Sequence, residues 1–152
     1  MSIHCLSRTQ FLPIPIDQAW DFFSSPHNLR LITPPEMDFK ITSVQMEGKT
    51  YAGQLIRYRV SPLPFYRTTW VTEITHVSAP TYFVDEQRIG PYCMWHHQHR
   101  FKAVDGGTEM TDVVHYVIPL GILGDLFNFL FIRKKIEAIF DYRTKKLKEI
   151  YS

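Results

Sequence analysis

Residues 121–150 read GILGDLFNFLFIRKKIEAIFDYRTKKLKEI, and the rest of the chain is best understood from this segment outward. It follows Pro119 and contains no proline of its own. Apolar side chains recur along it at helical spacing, which predicts a single helix about 45 Å long. The stripe that we expect to lie against a sheet comprises Ile122, Leu126, Phe129, Ile136, Phe140 and Leu147.

The first half of this predicted helix is apolar on nearly every side. A helix with one face in water does not need so many apolar side chains, so something should cover them. Loop packing or a dimer contact is one explanation, and an apolar mouth for a ligand or for membrane contact is the other. The additional side chains are Leu123, Phe127, Leu130, Phe131 and Ile132.

Six strands are predicted upstream of the helix, where runs rich in Val, Ile, Thr and Tyr are separated by turn-forming residues. Their approximate bounds are Phe39–Glu47, Tyr51–Val60, Arg67–Val77, Tyr82–Arg88, Met94–Val104 and Thr108–Ile118. The predicted turns are Gly48-Lys49, Ser61-Pro62-Leu63-Pro64, Ala79-Pro80, Gly90-Pro91 and Asp105-Gly106-Gly107. These short connections favour a meander of antiparallel strands.

The N-terminal region adds one strand, Ile3–Leu12, and two short helices. The first helix begins at Ile16, and Ser25 with Pro26 suits the start of the second, over His27–Ile32. The complete order predicts an α+β fold with a curved seven-stranded antiparallel sheet and a long C-terminal helix over it. A single domain over residues 1–152 fits the chain length.

Composition excludes several classes of protein. Hydrophobic residues make up 45% of the chain, which is typical of a packed globular domain. The formal net charge of +2 arises from basic residues mixed with acids near the C-terminus, so no nucleic-acid binding is expected. Cys5 and Cys93 are far apart in the sequence and do not form a CxxC motif, so neither a redox motif nor a zinc site is indicated. With no leader sequence and no bilayer-length apolar run, we expect a cytoplasmic protein without stable membrane insertion.

Five motifs support a resemblance to a known family. They are PIDQAWDFFSSPHNL at 15–29, ITPP at 32–35, FVDEQ at 83–87, GPYCMWHHQHRF at 90–101 and PLGILG at 119–124. Together they resemble the SRPBCC superfamily of START-type and pollen-allergen-type proteins, in particular bacterial ligand-binding members similar to polyketide cyclases and dehydrases. The resemblance covers nearly the whole chain. It implies a helix-grip fold, in which the sheet curls round the last helix and encloses a deep apolar cavity.

Alternation along the strand Met94–Val104 places Trp95, His97, His99 and Phe101 on one face. The resemblance implies that this face is the concave one. Three interpretations of the two histidines stay open. In the first, the histidines are paired with carboxylates. In the second, they hydrogen-bond a ligand's carbonyl or hydroxyl, and in the third they act as acid and base or as metal ligands.

The carboxylates considered as partners of the histidines are Glu73, Glu86 and Asp112. A His-x-His pair fixes no third ligand, so we expect no metal and no cofactor. Further candidates for the cavity wall are the aromatic residues Tyr58, Trp70, Phe83 and Tyr116, for which packing in the core is an equal alternative. Glu86 is another candidate, for which exposure to solvent is the simpler alternative. The run Asp85–Arg88 is equally consistent with a solvated edge.

The main functional hypothesis is the binding of a hydrophobic or aromatic small molecule, lipid or polyketide-like, between the sheet and the last helix. The ligand would enter near the loop Ser61–Tyr66 and the apolar start of that helix. An alternative is a cyclase-type or dehydratase-type enzyme in which His97 or His99 moves protons. A third hypothesis is a partner-binding module, for example a homodimer, that uses the exposed side of Leu123–Phe131.

Overall fold

Seven strands form one curved antiparallel sheet in the computed structural model, which describes residues 1–43 and 48–152. In chain order they are β1 (His4–Leu12), β2 (Lys40–Ile41), β3 (Leu55–Leu63), β4 (Tyr66–Ser78), β5 (Tyr82–Ile89), β6 (Met94–Val104) and β7 (Gly107–Val117). Their order across the sheet is β1, β7, β6, β5, β4, β3, β2. Strands β2 to β7 therefore form the predicted meander, and β1 completes the sheet beside β7.

The helical segments lie between β1 and β2 and after β7. Helix α1 spans Ile16–Phe23 and is followed by 3₁₀ turns at Pro26–Ile32 and Pro35–Met37. The last helix consists of α2 (Gly121–Phe127), a π turn (Asn128–Ile132) and α3 (Arg133–Tyr151). This arrangement confirms the predicted α+β helix-grip fold class. Among the described residues, every helix is too short or too polar to cross a bilayer.

Irregular pairing bends the sheet at β4. The register of β3 against β4 shifts between Val60 and Leu63, and that of β4 against β5 shifts twice between Val71 and His76. Each such irregularity increases the local twist and bends the bulged strand. The resulting curvature gives the sheet a concave face, on which α3 lies.

Strand β3 begins and ends later than the sequence predicts. Tyr51–Gln54 forms a turn, so the strand starts at Leu55. At its other end the strand continues through Pro62, which the sequence places in a turn. Strand β2 pairs with Tyr58 and Arg59, and within the described residues no strand pairs with Pro62 on this side of β3, where a proline without an N–H is tolerated.

The predicted strand Phe39–Glu47 is represented by β2, which pairs with β3 at Lys40 and Ile41. Residues 44–47 of that prediction lie outside the described residues. The bounds of the other five strands differ from the predicted ones by one residue at most at either end. Local alternation and turn chemistry are therefore sufficient to locate these strands.

The second half of the last helix, α3, is held against the sheet by four buried side chains at helical spacing. They are Ile136, Phe140, Arg143 and Leu147, all at most 7% exposed. Leu147 belongs to one apolar cluster, with Leu12, Trp20, Phe83, Phe101 and Met110. Ile136 and Phe140 belong to a second, with Leu6, Val114, Tyr116 and Ile118. Helix α3 therefore stabilises both parts of the core.

The first half of the last helix does not lie on the sheet, and this part of the predicted stripe is wrong. Ile122, Leu126 and Phe129 are 84%, 56% and 75% exposed. The π turn Asn128–Ile132 explains the difference, because its wider turn rotates the residues before it relative to α3. Gly124 faces inward instead, where an added Cβ would lie 2.0 Å from a backbone carbonyl oxygen.

Candidate functional site

A cavity of about 180 Å³ lies between the concave face of the sheet, the 3₁₀ turns and α3. Its walls are mainly apolar, and aromatic rings contribute much of the surface. These rings include Phe39, Tyr58, Trp70, Tyr92, Trp95 and Phe140. Several of them contact one another, as Trp70 and Trp95 do at a centroid distance of 5.4 Å. Such a cavity suits an apolar or aromatic molecule.

Four titratable side chains from three neighbouring strands form a buried cluster at the cavity wall. The register places Asp85 of β5 opposite His97 of β6, and Asp112 of β7 opposite His99 of β6. The closest contacts are the diagonal ones: His97 Nε2 lies 2.8 Å from Asp112 Oδ1, and His99 Nε2 lies 2.6 Å from Asp85 Oδ2. Each imidazole therefore has a carboxylate partner, as the first interpretation of the histidines expects.

Arg143 of α3 is the fifth charged member of this group. Its Nη1 lies 3.8 Å from Asp112 Oδ1, and its guanidinium carbon lies 4.8 Å from the centroid of the Phe140 ring. Arg143 is only 7% exposed and lines the cavity together with Asp85, His97 and His99. The long helix thus brings a buried cation to the polar part of an otherwise apolar cavity.

Burial and the neighbouring charges set the protonation of the cluster. Burial, followed by the proximity of His99, lowers the pKa of His97. Burial also opposes charge on His99, but the carboxylates of Asp112 and Asp85 outweigh it and raise the pKa of His99. Although burial opposes their ionisation, the imidazoles and Arg143 hold the pKa of Asp85 and Asp112 below the usual range.

These shifts favour one protonated imidazole, on His99, and one neutral imidazole, on His97. The ring centroids of the two histidines are 3.7 Å apart, so charging both would place two cations in contact. A proton on the pair is therefore favoured on His99, whose Nε2 lies 2.6 Å from Asp85 Oδ2 and whose Nδ1 lies 3.3 Å from Asp112 Oδ1.

The structure places the residues predicted for the site at different parts of the molecule. Those that line the cavity are Tyr58, Trp70, Phe83, Trp95, His97 and His99. Phe101 packs instead in the core with Trp20, and Tyr116 packs in the other core cluster and donates its hydroxyl to Asn128 Oδ1 at 2.9 Å. Glu86 lies on the opposite face of β5, where it contacts His96 Nδ1 at 2.6 Å.

Sequence reasoning missed two members of the cluster. The run that begins at Asp85 is equally consistent with a solvated edge in the sequence, but Asp85 alternates with Phe83 and therefore shares the inward face of β5. The mixed charges near the C-terminus favour a solvated helix face, but Arg143 lies three residues after Phe140 and four before Leu147, on the buried stripe. Periodicity could have located both side chains, but their charge favours a solvent-exposed interpretation.

Asp85, His97 and His99 also have the donor set of a metal site. One ligand atom from each lies within 4.8 Å of the others, and two histidines with a carboxylate are a common set for zinc or non-haem iron. The expectation of no metal depended on the lack of a third ligand, which Asp85 supplies. The same three residues already take part in the carboxylate–imidazole contacts, so they also form a buried ion-pair network.

Comparisons with known proteins support the fold alone. No family model matches the chain, and no curated protein matches it in sequence. Among solved structures, the chain is similar to a protein from Chromobacterium violaceum, with a TM-score of 0.71, 11% identity and 97% of both chains covered. A protein from Rhizobium leguminosarum matches with a TM-score of 0.69 and 16% identity, over 97% of this chain and 96% of that one.

A further similar structure is Ara h 8.0201, a pollen-allergen-type protein. It matches with a TM-score of 0.62 and 13% identity, over 97% of this chain and 99% of its own. At such low identity these similarities establish the helix-grip architecture alone. The function therefore has to be inferred from the residues of the site.

Proposed function

We propose that this protein binds one hydrophobic small molecule, of a size set by the cavity, between the sheet and α3. The observation that carries the proposal is an apolar, largely aromatic cavity with a single polar cluster in its wall. Ligand sites commonly combine apolar walls with a few placed polar groups that orient the ligand. An apolar cavity of about 150 Å³ is large enough to bind benzene, so about 180 Å³ suits one ring with a short substituent.

The ligand enters, in this proposal, between the β3–β4 turn and the start of the last helix. Pro62, Tyr92 and Lys135 line the cavity and also a neighbouring pocket that Leu120 and Phe127 help to form. The surface around this opening is apolar and exposed. Of the exposed apolar side chains, Leu120 and Phe127 line the neighbouring pocket, and more follow along the β3–β4 turn and the first half of the last helix: Phe65, Ile122, Leu123, Leu126, Phe129, Leu130 and Phe131. An apolar rim of this kind lowers the cost of transferring an apolar ligand from water.

Filling the cavity is expected to abolish ligand binding. Ile56 of β3 is 7% exposed and lines the cavity, whereas Leu55, its neighbour on the same strand, is 61% exposed. The variant Ile56→Phe adds a ring to the cavity, and we expect it to weaken binding of neutral aromatic probes such as indole, 2-naphthol and 3-phenylpropanol by about tenfold or more. Isothermal titration calorimetry measures the affinity.

The matched control is Leu55→Phe, which adds the same ring on the outward face and should bind the probes as the unmodified protein does. Thermal unfolding of both variants shows whether either is misfolded. Equal affinities for the two variants would contradict ligand binding in this cavity.

A second candidate function is acid–base catalysis, which the contacts of His97 and His99 favour. A neutral imidazole next to a protonated one, each with a carboxylate partner, can accept and donate a proton. Such an enzyme would be of the cyclase or dehydratase type. Turnover of a polyketide-like substrate that is lost in His97→Ala, with an altered pH profile in His97→Gln, would distinguish this function from binding alone.

A third candidate function uses the exposed apolar face of the last helix for a partner, including a second copy of the chain. Leu123 and Phe129 are 72% and 75% exposed, and such large contiguous apolar faces are unusual on monomers. A homodimer would bury them. Sedimentation that shows only monomer at micromolar concentration would exclude self-association through this face.

A further inference from the structure

The side chain of Arg143 has hydrogen-bond donors without acceptors. Arg143 is 7% exposed, and its Nε and Nη1 form no hydrogen bond within the described residues. The carboxylate oxygen Asp112 Oδ1 lies 3.8 Å from Nη1, which is close enough for an ion pair and too far for a hydrogen bond. A buried guanidinium with unpaired N–H groups is costly, because it has lost water and gained no acceptor in exchange.

A second buried donor on the same cavity is also unpaired. The indole Nε1 of Trp70 has no acceptor within the described residues, and Trp70 is 8% exposed. Both Arg143 and Trp70 line the cavity. Arginine and tryptophan side chains can donate hydrogen bonds but cannot accept them, so the unpaired groups of both residues are donors.

Other polar groups of the cavity have partners, apart from His99 Nδ1, which forms no hydrogen bond within the described residues and lies 3.3 Å from Asp112 Oδ1. The Tyr58 hydroxyl lies 3.0 Å from Thr72 Oγ1, and the carboxylate of Asp85 lies 2.6 Å from His99 Nε2. The cavity therefore offers unused donors, and a ligand that satisfies them has to present acceptors. The planar guanidinium of arginine matches a carboxylate, to which it can donate two parallel hydrogen bonds.

The charge of the cluster limits which anion fits. Arg143 is the guanidinium that lines the cavity, and the carboxylates of Asp85 and Asp112 lie close to it and to the histidine pair, so they repel a dianion more strongly than a monoanion. A monoanion adds one negative charge, and Arg143, whose ion pair with Asp112 is long, can bind it directly. A carboxylate therefore fits this site better than a phosphate dianion.

We propose that the ligand is an aromatic monocarboxylic acid, whose carboxylate accepts hydrogen bonds from Arg143 and whose ring lies among the aromatic side chains of the cavity. This inference rests on the proposed function and specifies the chemical class of the ligand. The volume of about 180 Å³ leaves room for one ring and a short chain to the carboxylate. Trp70 and Trp95 provide apolar faces for the ring, and Trp70 offers an additional donor.

The test compares 3-phenylpropionate with 3-phenylpropanol and 3-phenylpropionamide, which share one carbon skeleton. Isothermal titration calorimetry on the unmodified protein should give an affinity for the acid that exceeds that for the alcohol and the amide by about tenfold to a hundredfold. Equal affinities for the acid and the neutral compounds would overturn the inference while the binding function stands. Binding of none of the three would overturn both.

Substitutions of Arg143 identify the residue responsible. Arg143→Gln should remove the preference for the acid over 3-phenylpropanol, measured as the ratio of the two affinities in the same variant, whereas Arg143→Lys should retain part of the preference because it keeps the charge. The matched control is Arg133→Gln, since Arg133 lies on the same helix but is exposed and pairs with Glu137 at 3.2 Å. Loss of acid preference in Arg133→Gln, or its full retention in Arg143→Gln, would overturn the assignment to Arg143.

Discussion

Replacing Asp112 by alanine should lower the free energy of unfolding by about 3–5 kcal/mol. Asp112 is 5% exposed, and its Oδ1 lies 2.8 Å from His97 Nε2, 3.3 Å from His99 Nδ1 and 3.8 Å from Arg143 Nη1. Removing the carboxylate leaves the charges of His99 and Arg143 with only Asp85 to balance them. Urea denaturation followed by circular dichroism measures the difference.

The matched control for this substitution is Asp141→Ala. Asp141 also forms an ion pair, with Arg8 at 3.2 Å, but its side chain is 67% exposed. Exposed pairs contribute at most about 1 kcal/mol, so this variant should be nearly as stable as the unmodified protein. Similar losses in the two variants would show that the cluster around Asp112 is not the buried, tightly coupled group described above.

The pH dependence of stability provides a second measure of the same carboxylate. Its partners hold the pKa of Asp112 below the usual range, so its contribution is present above the pKa of the unfolded chain, which is about 4. That contribution is lost as the pH falls toward the pKa of the folded state. The unmodified protein should therefore lose stability below about pH 4, and Asp112→Asn should show a shallower loss over the same range.

Truncating Leu147 to alanine should cost about 2–5 kcal/mol. Leu147 is fully buried in the core cluster that contains Leu12, Trp20 and Phe101. The substitution removes apolar contact and leaves a cavity where α3 is held against β1, α1 and β6. This contact holds the last helix against the sheet, so both thermal and chemical unfolding should show the lower free energy of unfolding.

Leu126→Ala is the matched control, because the same truncation is made in the same long helix at a residue that is 56% exposed. An exposed position of this kind should change stability by no more than about 0.5 kcal/mol. If Leu126→Ala were as destabilising as Leu147→Ala, the apolar first half of the helix would have to be packed against something, for example a second copy of the chain.

The fold could be predicted because its determinants are local. Strand alternation and turn residues locate β4 to β7 within one residue, and the predicted helical stripe is right for its second half, where Ile136, Phe140 and Leu147 are buried. The same alternation groups His97 with His99 on one face of β6, and the structure places both on the cavity wall. These patterns depend only on the geometry of one strand or one helix.

The remaining parts of the site depend on pairing between elements. Asp85 meets His99, and Asp112 meets His97, through the register of three strands, which a single strand does not reveal. Arg143 reaches the cluster from a helix that follows in the chain. The π turn at Asn128–Ile132, which turns Ile122 and Leu126 toward solvent, has no periodic signature in the sequence.

Native mass spectrometry of the protein as isolated from its expression host, combined with solvent extraction of the same sample, tests ligand binding most directly. The cavity predicts a complex of one chain with one small aromatic or otherwise hydrophobic compound, whose mass reappears in the extract and which Ile56→Phe does not retain. Metal analysis accompanies it, because Asp85, His97 and His99 could hold an ion. A chain that carries neither compound nor added aromatic probe, or that carries only a metal ion, would contradict the proposal.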